Sequence, residues 1–213
     1  MEEVSIVVRW AHLLLGITWI GMLYYFNFVQ GGFFKKECLR GETVAYAGLI
    51  PNTLRWFRWT AACAFAVAIY LLWSANSLFN DYIFISAVMG AAMLLNVCFI
   101  IWPAQQISLG MKSGNRVLTA ERAILASRTN TLFCLPISYC ILASMNKGYM
   151  PEYMLSGINA IGINMNLSIA LFVVLILELN VIFGRQILKT STRVVAQSSM
   201  ALTGILFFSL AYM

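Results

Sequence analysis

Tyr82 to Met111 reads YIFISAVMGAAMLLNVCFIIWPAQQISLGM, without one Asp, Glu, Lys or Arg. About 20 apolar residues in helical rise cross the hydrocarbon core of a bilayer, so this run predicts a membrane helix with residues to spare. Working outward, five more uncharged stretches appear: Trp10 to Phe34, Trp59 to Asn80, Thr129 to Asn146, Tyr153 to Leu177 and Val194 to Met213, each at least 18 residues long. The expected architecture is an all-α integral membrane protein, a bundle of about six transmembrane helices forming one domain over 1–213. A β-barrel is excluded because its strands would be shorter and would alternate in polarity.

Composition agrees. Of 213 residues, 61% are hydrophobic and 10% charged, and mean hydropathy is +0.81. A soluble domain carries roughly 25% charged residues, too many for this chain to match, so lipid is the expected solvent for most of its surface.

The net charge of +6 is distributed by loop. Lys35, Lys36, Arg40, Arg55 and Arg58 form one group, Lys112, Arg116, Arg122 and Arg128 a second, and Arg185, Lys189 and Arg193 a third. Only Arg9 and Lys147 fall in the alternate positions, a split of twelve against two. This is the positive-inside pattern, and it predicts that both termini face the periplasm. Basic charge so placed orients the chain and meets anionic lipid, which argues against nucleic acid as a partner. The opening Met-Glu-Glu-Val has no basic region, so a cleaved signal peptide is not expected and helix 1 stays.

Along the chain, helix 1 is expected from about Val4 to Val29. Gln30 to Thr53, with Gly31-Gly32, Gly41 and Pro51, reads as a loop whose Thr43–Ile50 portion forms a short surface helix. Helix 2 covers about Leu54–Ala75 and helix 3 runs from a tight turn at Asn76–Asp81 to a break at Trp102-Pro103. Thr119 is the expected N-cap of helix 4, which reaches Asn146 with a kink at Pro136. Helix 5 spans about Met154–Gly184 and helix 6 starts near Val194.

Cys38, Cys63, Cys98, Cys134 and Cys140 show neither metal-ligand spacing nor a CxxCH haem attachment; they read as reduced, small apolar residues. On helix 1, Arg9, His12, Gly16, Ile20, Leu23 and Asn27 share one stripe, which should face protein because polar groups are costly against lipid. His12, the single histidine, reads as a haem axial ligand, a proton relay, a quinone partner, or a side chain satisfied by a neighbouring helix. On helix 5, Asn159, Gly162, Asn166, Ala170, Asn180 and Gly184 form a stripe suited to close packing. Glu178 lies off that stripe at the depth of Arg128, so an ion pair between them and separate exposure of both at the interface are equally open. No phosphate loop, hydrolase elbow or HExxH is present.

Five strings occur in order: RWAHLLLGITWIGMLYYFNFVQ, RWFRW, NVCFIIWPAQQ, ASRTNTLFCLPI and LELNVIFG. Together they resemble the N-terminal membrane domain of bacterial cytochrome c-linked urate oxidases, also called urate hydroxylases, over nearly the whole chain. The resemblance implies a bacterial inner-membrane location and oxidation of a small substrate, with electrons passed to a separate cytochrome c. It singles out Arg9, His12, Asn96, Arg128, Asn130 and Glu178 as candidate catalytic residues, and His12 as the cofactor-binding candidate, with no metal site. Two departures stand out: the family's cytochrome domain is not among these residues, and Asn146 stands where a family histidine is expected. Haem bound through His12 would therefore take its second ligand from Met or a partner chain. The alternative is a non-catalytic integral subunit of a larger respiratory-type membrane complex. By helical rise, Arg9 and His12 lie about 20 Å from Asn96, Arg128 and Asn130, too far to share one small site.

The charge split makes topology testable. A periplasm-dependent reporter enzyme fused after Met213 should be active, and a reporter restricted to the cytoplasm should be silent. The reverse pattern would refute the periplasmic placement of the C-terminus.

Overall fold

The computed structural model describes residues 2–30, 46–74, 80–108, 110–145, 165–183 and 192–212. Their regular structure is entirely helical. Helix α1 (Glu2–Tyr24) runs on into a π-helical turn, Tyr25–Gln30. Helix α2 is Tyr46–Ser74. Helix α3 (Asp81–Leu95) continues through a second π-helical segment, Asn96–Ile101, into α4 (Trp102–Ser108). Helices α5 (Arg116–Met145), α6 (Met165–Ile182) and α7 (Thr192–Tyr212) follow.

Among the described residues, three helical stretches are long and apolar enough to cross a membrane: Ile6–Gln30, Pro51–Ser74 and Asp81–Ile107. Leu167–Ile182 is apolar but shorter within the described residues. Helix α5 carries Arg116, Glu121, Arg122 and Arg128 in its first half, and α7 carries Gln197, Ser198 and Ser199, so both are more polar.

Local chemistry explains where the boundaries depart from expectation. Within the expected loop, the helix anticipated over Thr43–Ile50 is present from Tyr46 but runs on into α2 instead of ending before Thr53; Pro51 lies inside α2, where it forfeits only the bond to the carbonyl four residues back in the opening turns. No break occurs at Pro103. Its ring would crowd the carbonyl of Phe99, and the widened π turn immediately before it absorbs that mismatch, so the chain stays helical to Ser108. There α4 stops in a Schellman motif: Gly110, at φ 74°, donates to the Ile107 carbonyl (3.1 Å), and Met111 donates to that of Gln106 (2.8 Å). The cap of α5 is Asn115 rather than Thr119. Its Oδ1 accepts from the Val117 and Leu118 amides at 3.1 and 3.2 Å, while Thr119 donates back to the Asn115 carbonyl. Asn80 caps α3 in the same way, accepting from Ile83 at 3.0 Å.

Helix α5 is the hub. It packs against α1, α3, α4, α6 and α7, whereas α2 lies against α1 and α3. The core consists of residues such as Leu23, Phe57, Met89, Phe133, Val174 and Leu206, all but excluded from solvent. Much of the outside is apolar as well. Ile6, Leu13 and Ile17 on α1 and Phe172, Leu175 and Ile182 on α6 are all exposed, an arrangement a water-facing monomer avoids.

Pro136 lies within α5 and has no N–H, so the Leu132 carbonyl loses its helical partner. Ser199 of α7 replaces it, with its hydroxyl donating to that carbonyl at 2.6 Å across a buried contact. Ser199→Ala should therefore cost about 1–3 kcal/mol in detergent unfolding followed by circular dichroism. In a Pro136→Ala background the residue at 136 regains its N–H, and the cost of Ser199→Ala should shrink. Equal costs in both backgrounds would contradict this account of the α5–α7 contact.

Candidate functional site

Three of the residues singled out by sequence converge. Asn96 opens the π-helical segment and is buried. Its amide nitrogen donates to Asn130 Oδ1 of α5 at 2.9 Å and to both carboxylate oxygens of Glu178 on α6, at 2.9 and 3.2 Å. Asn130, fully buried, passes its own amide to the Met93 carbonyl at 3.0 Å, and the Cys134 thiol donates to the Asn130 carbonyl. One side-chain cluster thus ties α3, α5 and α6 together. Glu178 itself is only half-buried.

Arg128 is not part of it. Among the described residues no ion pair joins Arg128 to Glu178, and the carboxylate takes the Asn96 amide instead. Helical geometry gives the reason. Position 128 is rotated by about 200° from position 130, so with Asn130 turned to Asn96 the guanidinium leaves from the other side of α5.

The helix 1 stripe divides. His12 Nδ1 lies 3.1 Å from the Ala64 carbonyl of α2. A carbonyl only accepts, so Nδ1 carries a proton, and Nε2 is the ring nitrogen left for any other partner. Asn27, inside the π turn of α1, places its amide nitrogen 2.9 Å from the Leu23 carbonyl, 2.8 Å from Ser127 Oγ and 2.9 Å from Thr131 Oγ1. Arg9, expected to face protein, is exposed instead; near the start of α1 its long side chain can reach water.

Sequence reading did not anticipate two features. Ser127 and Thr131 form the counterpart of Asn27, which their spacing of one helical turn would have allowed. The Arg58 guanidinium of α2 lies 3.5 Å over the Trp102 ring, a cation–π contact for which the strings RWFRW and IWP are the only signal. Among the described residues, three buried polar atoms have no hydrogen-bond partner: Trp19 Nε1, Thr129 Oγ1 and Asn180 Oδ1. Of the helix 5 stripe, Ala170 and Asn180 are buried as expected; Asn159, Gly162 and Gly184 fall outside the described residues, as do Cys38 and Asn146.

For haem, His12 meets one requirement. A ring whose Nδ1–H is held by a carbonyl presents Nε2 in a fixed tautomer, the arrangement metal-ligating histidines use. As the single histidine, it offers half of a bis-imidazole pair.

Among protein families, curated proteins and solved structures, none matches this chain.

The amide–carboxylate cluster has a measurable energetic signature. Asn96→Ala strips the donor from Glu178 and from Asn130 together and should destabilise the protein by about 1–3 kcal/mol in detergent thermal unfolding. Glu178→Gln keeps an acceptor for Asn96 and should cost less. If Asn96→Ala is silent, Asn96 does not join these helices.

Proposed function

We propose that this chain is a six-span integral protein of a bacterial inner membrane that acts as the membrane module of a urate oxidase-like redox system. In this reading it oxidises a small substrate and passes electrons to a separate cytochrome c. One observation carries the proposal: Asn96, Asn130 and Glu178, drawn from three separate strings of the family resemblance, meet in one hydrogen-bonded cluster. Asn96 and Asn130 orient the site, since each is buried and committed to a partner. Glu178, a carboxylate facing an amide and no cation, is the proton acceptor. His12 lies apart and is not assigned to this step.

A second reading, a non-catalytic integral subunit of a larger membrane complex, is favoured by His12. Its bond to the Ala64 carbonyl suits a histidine that fastens α1 to α2. In either reading the six spans rest on the sequence pattern together with the three long apolar helices.

Urate consumption by the purified chain separates the readings. Alone, the chain should not turn over, because oxidation requires an electron acceptor. With soluble cytochrome c added, urate loss and cytochrome reduction should appear together, and Glu178→Gln should slow both by at least about 100-fold, the usual scale of a lost general base. Absence of turnover with cytochrome c, for a chain still folded and membrane-inserted, would favour the subunit reading.

A further inference from the structure

We propose that the first half of α2, where its apolar span begins, and Trp102 of α4 together form a binding site for the phosphodiester headgroup of an acidic phospholipid, a proposal that rests on the membrane reading above. The segment Arg55-Trp56-Phe57-Arg58-Trp59 sorts by helical position. Phe57 enters the core at 2% exposure, while Trp56 and Trp59 stand out at 68% and 59%. Arg55 is exposed beside them. Arg58, three residues on and therefore on the same side of the helix, has its guanidinium 3.5 Å over the Trp102 ring.

That contact fixes a cation without neutralising it. The indole covers one face of the guanidinium and takes none of its in-plane N–H groups, which among the described residues make no other hydrogen bond. Among the described residues neither Arg55 nor Arg58 has a carboxylate partner. Planar N–H donors of this kind match the paired oxygens of a phosphodiester. Exposed indoles prefer the headgroup depth of a bilayer, where their rings meet the upper acyl chains. Two arginines beside two exposed tryptophans therefore suit an anionic headgroup with chains attached, and fit a soluble anion poorly because it would leave the indoles uncovered. The charge distribution puts this end of α2 at the cytoplasmic leaflet, the more anionic surface.

The test uses the full chain in mild detergent, with lipid adducts counted by native mass spectrometry. The probes are dioctanoyl phosphatidylglycerol, dioctanoyl phosphatidylcholine and inorganic phosphate. Wild type should retain phosphatidylglycerol over phosphatidylcholine by on the order of tenfold. Arg55→Ala/Arg58→Ala should lose the preference. Arg58→Lys keeps the charge but not the planar donors and should weaken it. Lys112→Ala/Arg116→Ala, which removes as much charge from the same end of the bundle, should leave it intact. Equal loss in the Lys112/Arg116 variant would overturn the site in favour of diffuse charge, and displacement by millimolar phosphate would overturn the lipid assignment. Recovery of the protein outside the membrane fraction would instead sink the underlying membrane reading, which fractionation reports separately.

Discussion

Polar groups inside this bundle must be satisfied by other helices, because both its interior and much of its outside are apolar. Helix α5 shows how the constraint organises the fold. Within six consecutive positions it presents Ser127 and Thr131 to Asn27 beyond α1, Asn130 to Asn96 beside α3, and the Leu132 carbonyl to Ser199 of α7. Successive residues are turned by about 100°, so this short stretch reaches neighbours on different sides. Each link is worth only about 1 kcal/mol net when made, but a buried group left unmatched costs more than that. Register between helices follows from this asymmetry, since apolar contacts alone would tolerate sliding.

Both π-helical segments contain one of these asparagines. Asn27 lies within Tyr25–Gln30, and Asn96 begins Asn96–Ile101. A widened turn rotates the residues that follow relative to a continuous α-helix and frees backbone groups from the usual ladder. In α3 a second cause coincides, because Pro103 forces the ladder to adjust just downstream. The adjustment keeps Val97 and Ile101 buried while leaving Phe99 exposed, so the cost of the proline is absorbed without losing the core face.

The positions of the helices were largely legible because long uncharged runs leave a chain few alternatives to a helix. Their ends were less so. The Thr119 cap follows a sequence pattern, but Asn115 lies four residues earlier and satisfies two amides, so the helix starts there. Proline propensity is a local rule that marks Pro51 as loop and Pro103 as a break; in the fold Pro51 falls in the opening turns of α2 and a π turn precedes Pro103, so both helices continue. At the site, the resemblance supplied Asn96, Asn130 and Glu178 as names; their convergence depends on helix rotation, which a single sequence does not encode. The same rotation removed Arg128 from the expected pair, and Arg9 proved exposed although its stripe predicted burial.

The two amide-centred clusters differ in what they leave open. The Asn27 nitrogen has two hydrogens and three acceptors within 2.9 Å, so its donor capacity is used up and it works as a fastening. Glu178 is the reverse. An ionised carboxylate offers about four acceptor sites, and among its hydrogen bonds here the donor is the Asn96 amide, which is also engaged with Asn130. A nearby arginine would have filled that capacity, at a desolvation cost of several kcal/mol per ion. An amide holds the carboxylate in place without neutralising it. The half-buried Glu178 therefore retains room for a proton or for the donor of a small molecule, and that unfilled capacity is the reason to look for chemistry between α3, α5 and α6 rather than along α1.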